Sequence, residues 1–268
     1  MKIIDSPVFP LPGSIKRILL IQLGDIGDVV WTTPSINAVK HSLPEAKVSV
    51  LVKEGFGGLL EADPSVTSVF EVTKTAGGLF KMATQQVKLI RDMRAHAFDM
   101  AVDLRLGDRG AWMAFLSGAP LRITLNPRAG LPLWRRCLFT HAVEDRPPVS
   151  HRGAVDQSLR ILKPFGIDTD EISPRLWVSG WVRSRVRQIL TAQKMDGLSA
   201  WVSVNPYSRW SYKEWNDAQW IDLVNWLWEE FSMPVVIIGS KQEWARAEAL
   251  SRQSRGRTFN LAGRTSLA

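Results

Sequence analysis

Residues 17–28 read Arg17-Ile18-Leu19-Leu20-Ile21-Gln22-Leu23-Gly24-Asp25-Ile26-Gly27-Asp28. The β-branched and leucine-rich run from Arg17 to Leu23 predicts a buried strand of a parallel sheet, with a glycine loop behind it. Ligands of open α/β sheets bind beyond the carboxyl ends of the strands, where this loop falls. Two glycines three apart, Gly24 and Gly27, let the backbone turn sharply and bring amides close to a ligand. A dinucleotide-binding loop needs G-x-G-x-x-G, whereas this loop has G-x-x-G and sets Asp25 and Asp28 beside the turn. A carboxylate there repels a pyrophosphate but can serve as a general base. The residues leave two readings of Asp28: a catalytic base, or an acid placed where a helix N-terminus favours one. Asp25 shares the second.

Outward from this loop, strands and helices alternate, which predicts a parallel α/β sheet. A helix ends near His41. Strands are expected at 47–52, 66–72, 98–104 and 121–125. Helices are expected at 80–96, where Val87, Ile90 and Met93 recur at helical spacing, and at 111–116. Four prolines interrupt the rhythm between Leu125 and Pro148, and a helix is expected from His151 to Phe165. Gly166 to Ser179 holds Gly, Asp, Ser and Pro and reads as a linker. The division expected is a Pro-rich lead-in over 1–15, a first α/β domain over 16–165, a linker over 166–180 and a second α/β domain over 181–268. The second shows three strands, at 200–204, 233–238 and 258–261, which is small for an α/β layer. Asn216 caps its strongest helix with Gln219 three residues on, as in a capping box. Trp220, Val224, Leu227 and Phe231 form the apolar face.

Among 268 residues, Lys plus Arg is 34 and Asp plus Glu is 26, so the formal charge of +8 favours anionic partners. The basic residues are scattered without the stripe of a nucleic-acid binder, so no nucleic acid is expected. One cysteine, Cys137, excludes an internal disulfide. No Cys/His cluster suggests a metal. No run approaches the roughly 20 apolar residues of a membrane span, and the N-terminus does not read as a signal peptide. A cytoplasmic protein is therefore expected. The stretch Leu131–Phe139, with Trp134, Arg135 and Arg136, admits contact with an anionic membrane face. It reads more readily as a partly buried connector with arginines snorkelling to water. Trp220, Trp226 and Trp228 share one helix and read as packing residues rather than a sugar platform.

The second domain carries two further signals. Val204-Asn205-Pro206-Tyr207-Ser208 ends a strand, and Lys213-x-Trp215 precedes a helix. A hydroxyl, a lysine and a helix start suit a diphosphate, and equally describe a solvated loop with Trp215 packed on the helix. Ile238-Gly239-Ser240-Lys241-Gln242-Glu243 is a strand, a turn and an early helix acid. Glu243 either faces a ligand or compensates the helix dipole.

The stretch RILLIQLGDIGDVVWTTPSINAVKHSLPEAKVSVLV over 17–52 resembles the opening of glycosyltransferase family 9, the ADP-heptose:lipopolysaccharide heptosyltransferases. FDMAVDLRLGDRGAWMAFLSGAPLRI over 98–123, the Ser208 and Lys213-x-Trp215 segment, Glu243 and Asn260–Leu267 continue the likeness in order. The resemblance implies a GT-B fold of two Rossmann-like domains, the second incomplete. It implies inverting transfer of a heptose from ADP-heptose to an anionic lipopolysaccharide core acceptor, with neither metal nor further cofactor; the Leu131–Phe139 stretch would then admit peripheral contact at the inner membrane. Asp28 would be the base, on an acceptor-side loop with Gly24, Asp25 and Gly27. Ser208 and Lys213 would grip the diphosphate and Glu243 would face the nucleoside. His151 matches a histidine that commonly opens a helix in the family. Relatives continue past the Asn260–Leu267 element with D-[ST]-G-x-x-H, so the chain is expected to be truncated, with a helix opening at Thr265. That expectation admits an alternative, a non-catalytic nucleotide- or glycan-binding relative. A dehydrogenase is disfavoured by the glycine spacing.

Overall fold

The computed structural model describes residues 1–4, 11, 15–73, 79–145 and 153–267. The chain divides into two compact units, Met1–Val178 and Ser179–Ala268.

The first unit is a seven-stranded parallel sheet. Its strands are β1 (Lys2–Ile4), β2 (Arg17–Ile21), β3 (Lys47–Lys53), β4 (Val66–Val72), β5 (Met100–Asp103), β6 (Leu121–Asn126) and β7 (His141–Glu144). The order across the sheet is β1-β7-β6-β5-β2-β3-β4. Side chains alternate between the two faces of a strand, and both faces here are covered. Ile18 and Leu20 of β2 join one core cluster with Val48, Val50, Val102 and Ile123. Leu19 and Ile21 join the other with Leu51, Met93, Phe98 and Ala101. From β2 the chain winds outward to β3 and β4, then returns to the other side of β2 as β5. The crevice at the carboxyl ends of β2 and β5 is therefore the topological switch point, where open α/β sheets bind ligands.

The helices of this unit are α1 (Ile26–Val30), α2 (Thr33–Ser42), α3 (Leu79–Ala95), α4 (Asp108–Leu116), α5 (Leu133–Leu138) and α6 (Ala154–Leu162). The single helix expected to end near His41 is two, α1 and α2. Pro34 explains the break. It lacks an N–H and fits only the first turn of a helix, so α2 must start anew just before it.

The lead-in and the proline-rich stretch also differ from expectation. Residues 2–4 form an edge strand paired with His141–Val143. Residues 133–138 are α5, leading into β7. Arg135 on α5 is buried and does not snorkel. Its side chain ion-pairs with Asp103 of β5 at 3.5 Å, and its Nη1 donates to the Leu106 carbonyl at 2.6 Å. Arg136 stays exposed, as expected of a connector arginine.

The second unit is a three-stranded parallel sheet of β8 (Val202–Val204), β9 (Val235–Ile237) and β10 (Thr258–Asn260), in the order β10-β9-β8. Its helices are α7 (Gly180–Ala192), α8 (Asp217–Phe231) and α9 (Trp244–Gln253). Val224, Val235, Ile237 and Ala247 form the dry centre. Asn216 caps α8 by accepting from the Gln219 amide at 2.9 Å. Trp220 packs on the core, but Trp226 and Phe231 lie half-exposed and edge to face with each other, outside it. Residues 262–264 form a turn, and no helix opens at Thr265.

Candidate functional site

In the first unit, candidate residues gather at the switch point of the seven-stranded sheet. Asp25 is the N-cap residue of α1 and Asp28 its third residue, so the two carboxylates stand at the helix start. The Asp25 amide donates to Asp28 Oδ2 at 2.8 Å. Asp25 Oδ1 accepts from Lys53 Nζ at 2.9 Å, which brings the end of β3 to the loop. Arg105, just past β5, donates from Nη1 to the same Oδ2 of Asp28. Among the described residues, Oδ1 of Asp28 accepts no hydrogen bond. The carboxylate is thus held by one oxygen and open at the other.

The two glycines of the loop differ in what they do. Neither takes the left-handed backbone that would demand glycine. A Cβ at Gly24 would collide with the Asp28 side chain, whereas one at Gly27 would meet nothing within 4 Å. Gly24 is therefore needed for close approach, not for the turn.

Behind the loop, buried Gln22 accepts from the Gly24 amide at 3.1 Å and donates to Thr32 Oγ1 at 3.2 Å. Thr32 Oγ1 donates to the Asp28 carbonyl at 2.8 Å. Gln22 and Thr32 thus fix both ends of α1. A cavity of about 90 Å³ opens beside Asp28, lined by Gln22, Trp31, Leu104, Arg105, Gln157 and Ser158. The sequence does not single out these side chains, because the pattern that joins them is spatial. Arg105 lies 77 residues from Asp28.

Asp103 anchors the Arg105 segment. The Arg105 amide donates to Asp103 Oδ1 at 3.2 Å, and Leu106 takes a left-handed φ of 63°. A bulky residue there is strained, and the strain persists only where surroundings over-determine it. Arg135 supplies that constraint through Asp103 and the Leu106 carbonyl. Burial pushes the Asp103 carboxyl up to about 7, against the opposing pull of the Arg105 amide and the Arg135 guanidinium.

In the second unit, candidate residues lie on the carboxyl edge of the three-stranded sheet. Ser208 follows β8, and its amide donates to Glu214 Oε1 at 2.7 Å. Its hydroxyl accepts from the Trp210 amide at 3.2 Å. Glu214 also binds Arg246 of α9 at 2.7 Å, and Arg246 pairs with Asp217 at 2.8 Å. The Ser208 amide, and then Arg246, hold the Glu214 carboxyl below its usual value. Lys213 lies in an exposed turn, its Nζ 5.8 Å from the Tyr212 ring centre, with no acidic partner among the described residues. Glu243 closes the capping box of the 3-10 turn Lys241–Glu243 ahead of α9, its Oε2 accepting from the Ser240 amide at 2.5 Å. A Cβ at Gly239 would stand 2.8 Å from that oxygen and 2.9 Å from the Tyr207 ring, so the loops after β8 and β9 are neighbours. Ser208 and Glu243 therefore share one edge, with Lys213 on the turn that follows Ser208. His151 lies outside the described residues.

A family model described as glycosyltransferase family 9 (heptosyltransferase) matches residues 86–268. Lipopolysaccharide heptosyltransferase 3 of Escherichia coli (strain K12) is 23% identical over 246 residues, covering 89% of this chain and 68% of its own length. Among solved structures, a glycosyl transferase family 9 protein of Veillonella parvula DSM 2008 superposes with a TM-score of 0.79 at 18% identity, over 94% of this chain and 70% of that one. The ADP-heptose lps heptosyltransferase II of E. coli superposes with a TM-score of 0.69 at 19% identity, over 94% and 74%. The chain thus spans about two thirds to three quarters of the length of these relatives.

Proposed function

Because this chain belongs to glycosyltransferase family 9, we propose that it moves a heptose from ADP-heptose to the core of lipopolysaccharide and inverts the anomeric carbon. The observation that carries the proposal is the Asp28 carboxylate at the switch point, fixed through Oδ2 and open at Oδ1. In the step, an acceptor hydroxyl attacks the anomeric carbon and gives its proton to Asp28 Oδ1. The bond from that carbon to the diphosphate oxygen breaks, and ADP leaves with the electron pair. One displacement inverts the centre.

The departing diphosphate needs counter-charge. Lys213 has no acidic partner among the described residues, and Ser208 offers its hydroxyl. Donors aimed at developing charge are the usual source of stabilisation, and here they take the place of a divalent cation. Glu243 is assigned to the nucleoside through Oε1, while its Oε2 keeps the Ser240 amide. Gly24, Asp25 and Gly27 form the acceptor-side loop.

We place the enzyme at the cytoplasmic face of the inner membrane. Trp112 of α4 stacks on Trp134 of α5 with centroids 6.2 Å apart, and Phe115 meets Trp112 edge-on. With Leu133, 78% exposed, they form an aromatic surface of the kind that sits at a membrane interface. Among the described residues, no helix is long and apolar enough to cross a membrane.

The test is transfer itself. The chain is incubated with ADP-heptose and a lipopolysaccharide core lacking an outer heptose, with and without a chelator. Heptose incorporation matched by ADP release, equal in both conditions, is expected. Absence of transfer together with equal affinity for ADP and UDP would overturn the assignment.

A further inference from the structure

The cavity beside Asp28 is too small for a sugar. Its volume of about 90 Å³ holds about three waters at roughly 30 Å³ each, far below the pockets that enclose whole ligands. Its polar lining is Gln22, Asp28, Arg105, Gln157 and Ser158. Arg105 is bonded to Asp28 through Nη1 alone, and Nη2 and Nε have no partner among the described residues. Those two nitrogens form a planar fork that matches a carboxylate or phosphate in bidentate fashion. The side chain is 45% exposed, so a ligand can reach it. Its backbone is pinned by buried Asp103, with Arg135 holding the strained Leu106 next to it.

From this we propose that the cavity is an oxyanion subsite, in which Arg105 reads a carboxylate or phosphate carried by the acceptor next to the hydroxyl that is glycosylated. Arg105 then bridges base and substrate. Nη1 keeps Asp28 Oδ2 fixed, and the Nε–Nη2 fork holds the anion, with Gln157 and Ser158 offering further donors. The hydroxyl is thereby set over Oδ1. The anion approaches from the side of the guanidinium away from Oδ2, so the positive group separates two negative ones. Arg105 is in this account a positioning and specificity residue, and the account rests on the glycosyltransferase reading for what the acceptor does next.

Three sugars of one ring type test it in the full chain: glucose, glucuronate and glucose 6-phosphate, titrated by ligand-observed NMR. At least tenfold tighter binding of one or both anionic sugars over glucose is expected, and the preferred one identifies carboxylate or phosphate. Arg105→Gln should abolish the preference, Arg105→Lys should restore part of it, and ADP affinity should not move in either. No preference in the parent, or a preference that survives Arg105→Gln, overturns the subsite. Should Arg105→Gln fail to fold, Gln157→Ala and Ser158→Ala take its place, each expected to weaken the anionic sugar severalfold and glucose little. An unchanged preference in both overturns the subsite equally. Transfer activity is read separately: transfer without anion preference removes the subsite alone, and anion preference without transfer removes the enzyme reading alone.

Discussion

A carboxylate that starts a helix and also takes a proton must divide the two tasks between its oxygens. In Asp28, Oδ2 holds the Asp25 amide and Arg105, and Oδ1 is left for the substrate. Asp28→Asn keeps an acceptor oxygen for the helix start but has no basic lone pair to offer. Turnover should fall by roughly 10²–10⁴, the worth of a general base, with ADP affinity unchanged. Parental turnover in that variant would exclude Asp28 as the base. The neighbouring glycines give a sharper comparison. Gly24→Ala must push the Asp28 side chain away and should cost most of the activity, while Gly27→Ala meets open space and should cost little. Equal losses would show that the loop, not the carboxylate, matters. For Lys213, an exposed ammonium without an acidic partner among the described residues, replacement by Ala should weaken ADP binding by about 1.5–3 kcal/mol, the range for hydrogen bonds to charged groups. Calorimetry reads this directly, and an unchanged affinity removes Lys213 from the site.

At the level of elements, the β5–α4 connection depends on a buried pair, Asp103 with Arg135, whose state varies with pH. The Asp103 carboxyl is raised to about 7 by burial, above its value of about 3.9 in an unfolded chain. A raised acid binds its proton more tightly in the fold, so its contribution to stability is fully present below about pH 4. It is lost as pH rises through about 7. Asp99, held low by the Lys16 and Arg17 amides against its partial burial, works in the opposite sense. The useful quantity is therefore the stability difference between the parent and Asp103→Asn. It should shrink between about pH 4 and 7 and then level off, as followed by denaturant midpoints. A difference constant across that window would show that Asp103 stays ionised in the fold. The same connection shows where reading the sequence stops. The loop from Gly24 to Asp28 is contiguous, and its strand and glycines are visible as a pattern. Arg105 and Ser158 reach that loop only through the winding of the sheet. β1 and β7, of three and four residues, are too short for periodicity to register, and α5 follows a proline. Arg135 looks like a surface arginine until Asp103 is found across from it.

Across the whole molecule, the two units differ in how their strands are covered. All four residues of β5 are buried, as are four of the five in β2, with an apolar cluster on each face. The strands of the second unit have three residues each, β10 is only partly buried, and α7 has no buried residue. Amide protection scales with such burial, so exchange should be slowest in β2 and β5 and faster throughout β8–β10. Equal protection in both units would contradict this. The outer edge of the larger sheet carries a different consequence. Lys2–Ile4 pair with His141–Val143, so this strand leaves the ribosome about 140 residues before its partner exists. At about 5–20 residues per second, the wait is about 7–28 s. During that wait residues 2–4, not β7, meet water, chaperones or another nascent chain. A tag or fusion attached ahead of Lys2 would therefore act on the order of assembly in the cell, lowering yield from live translation more than refolding yield from denaturant.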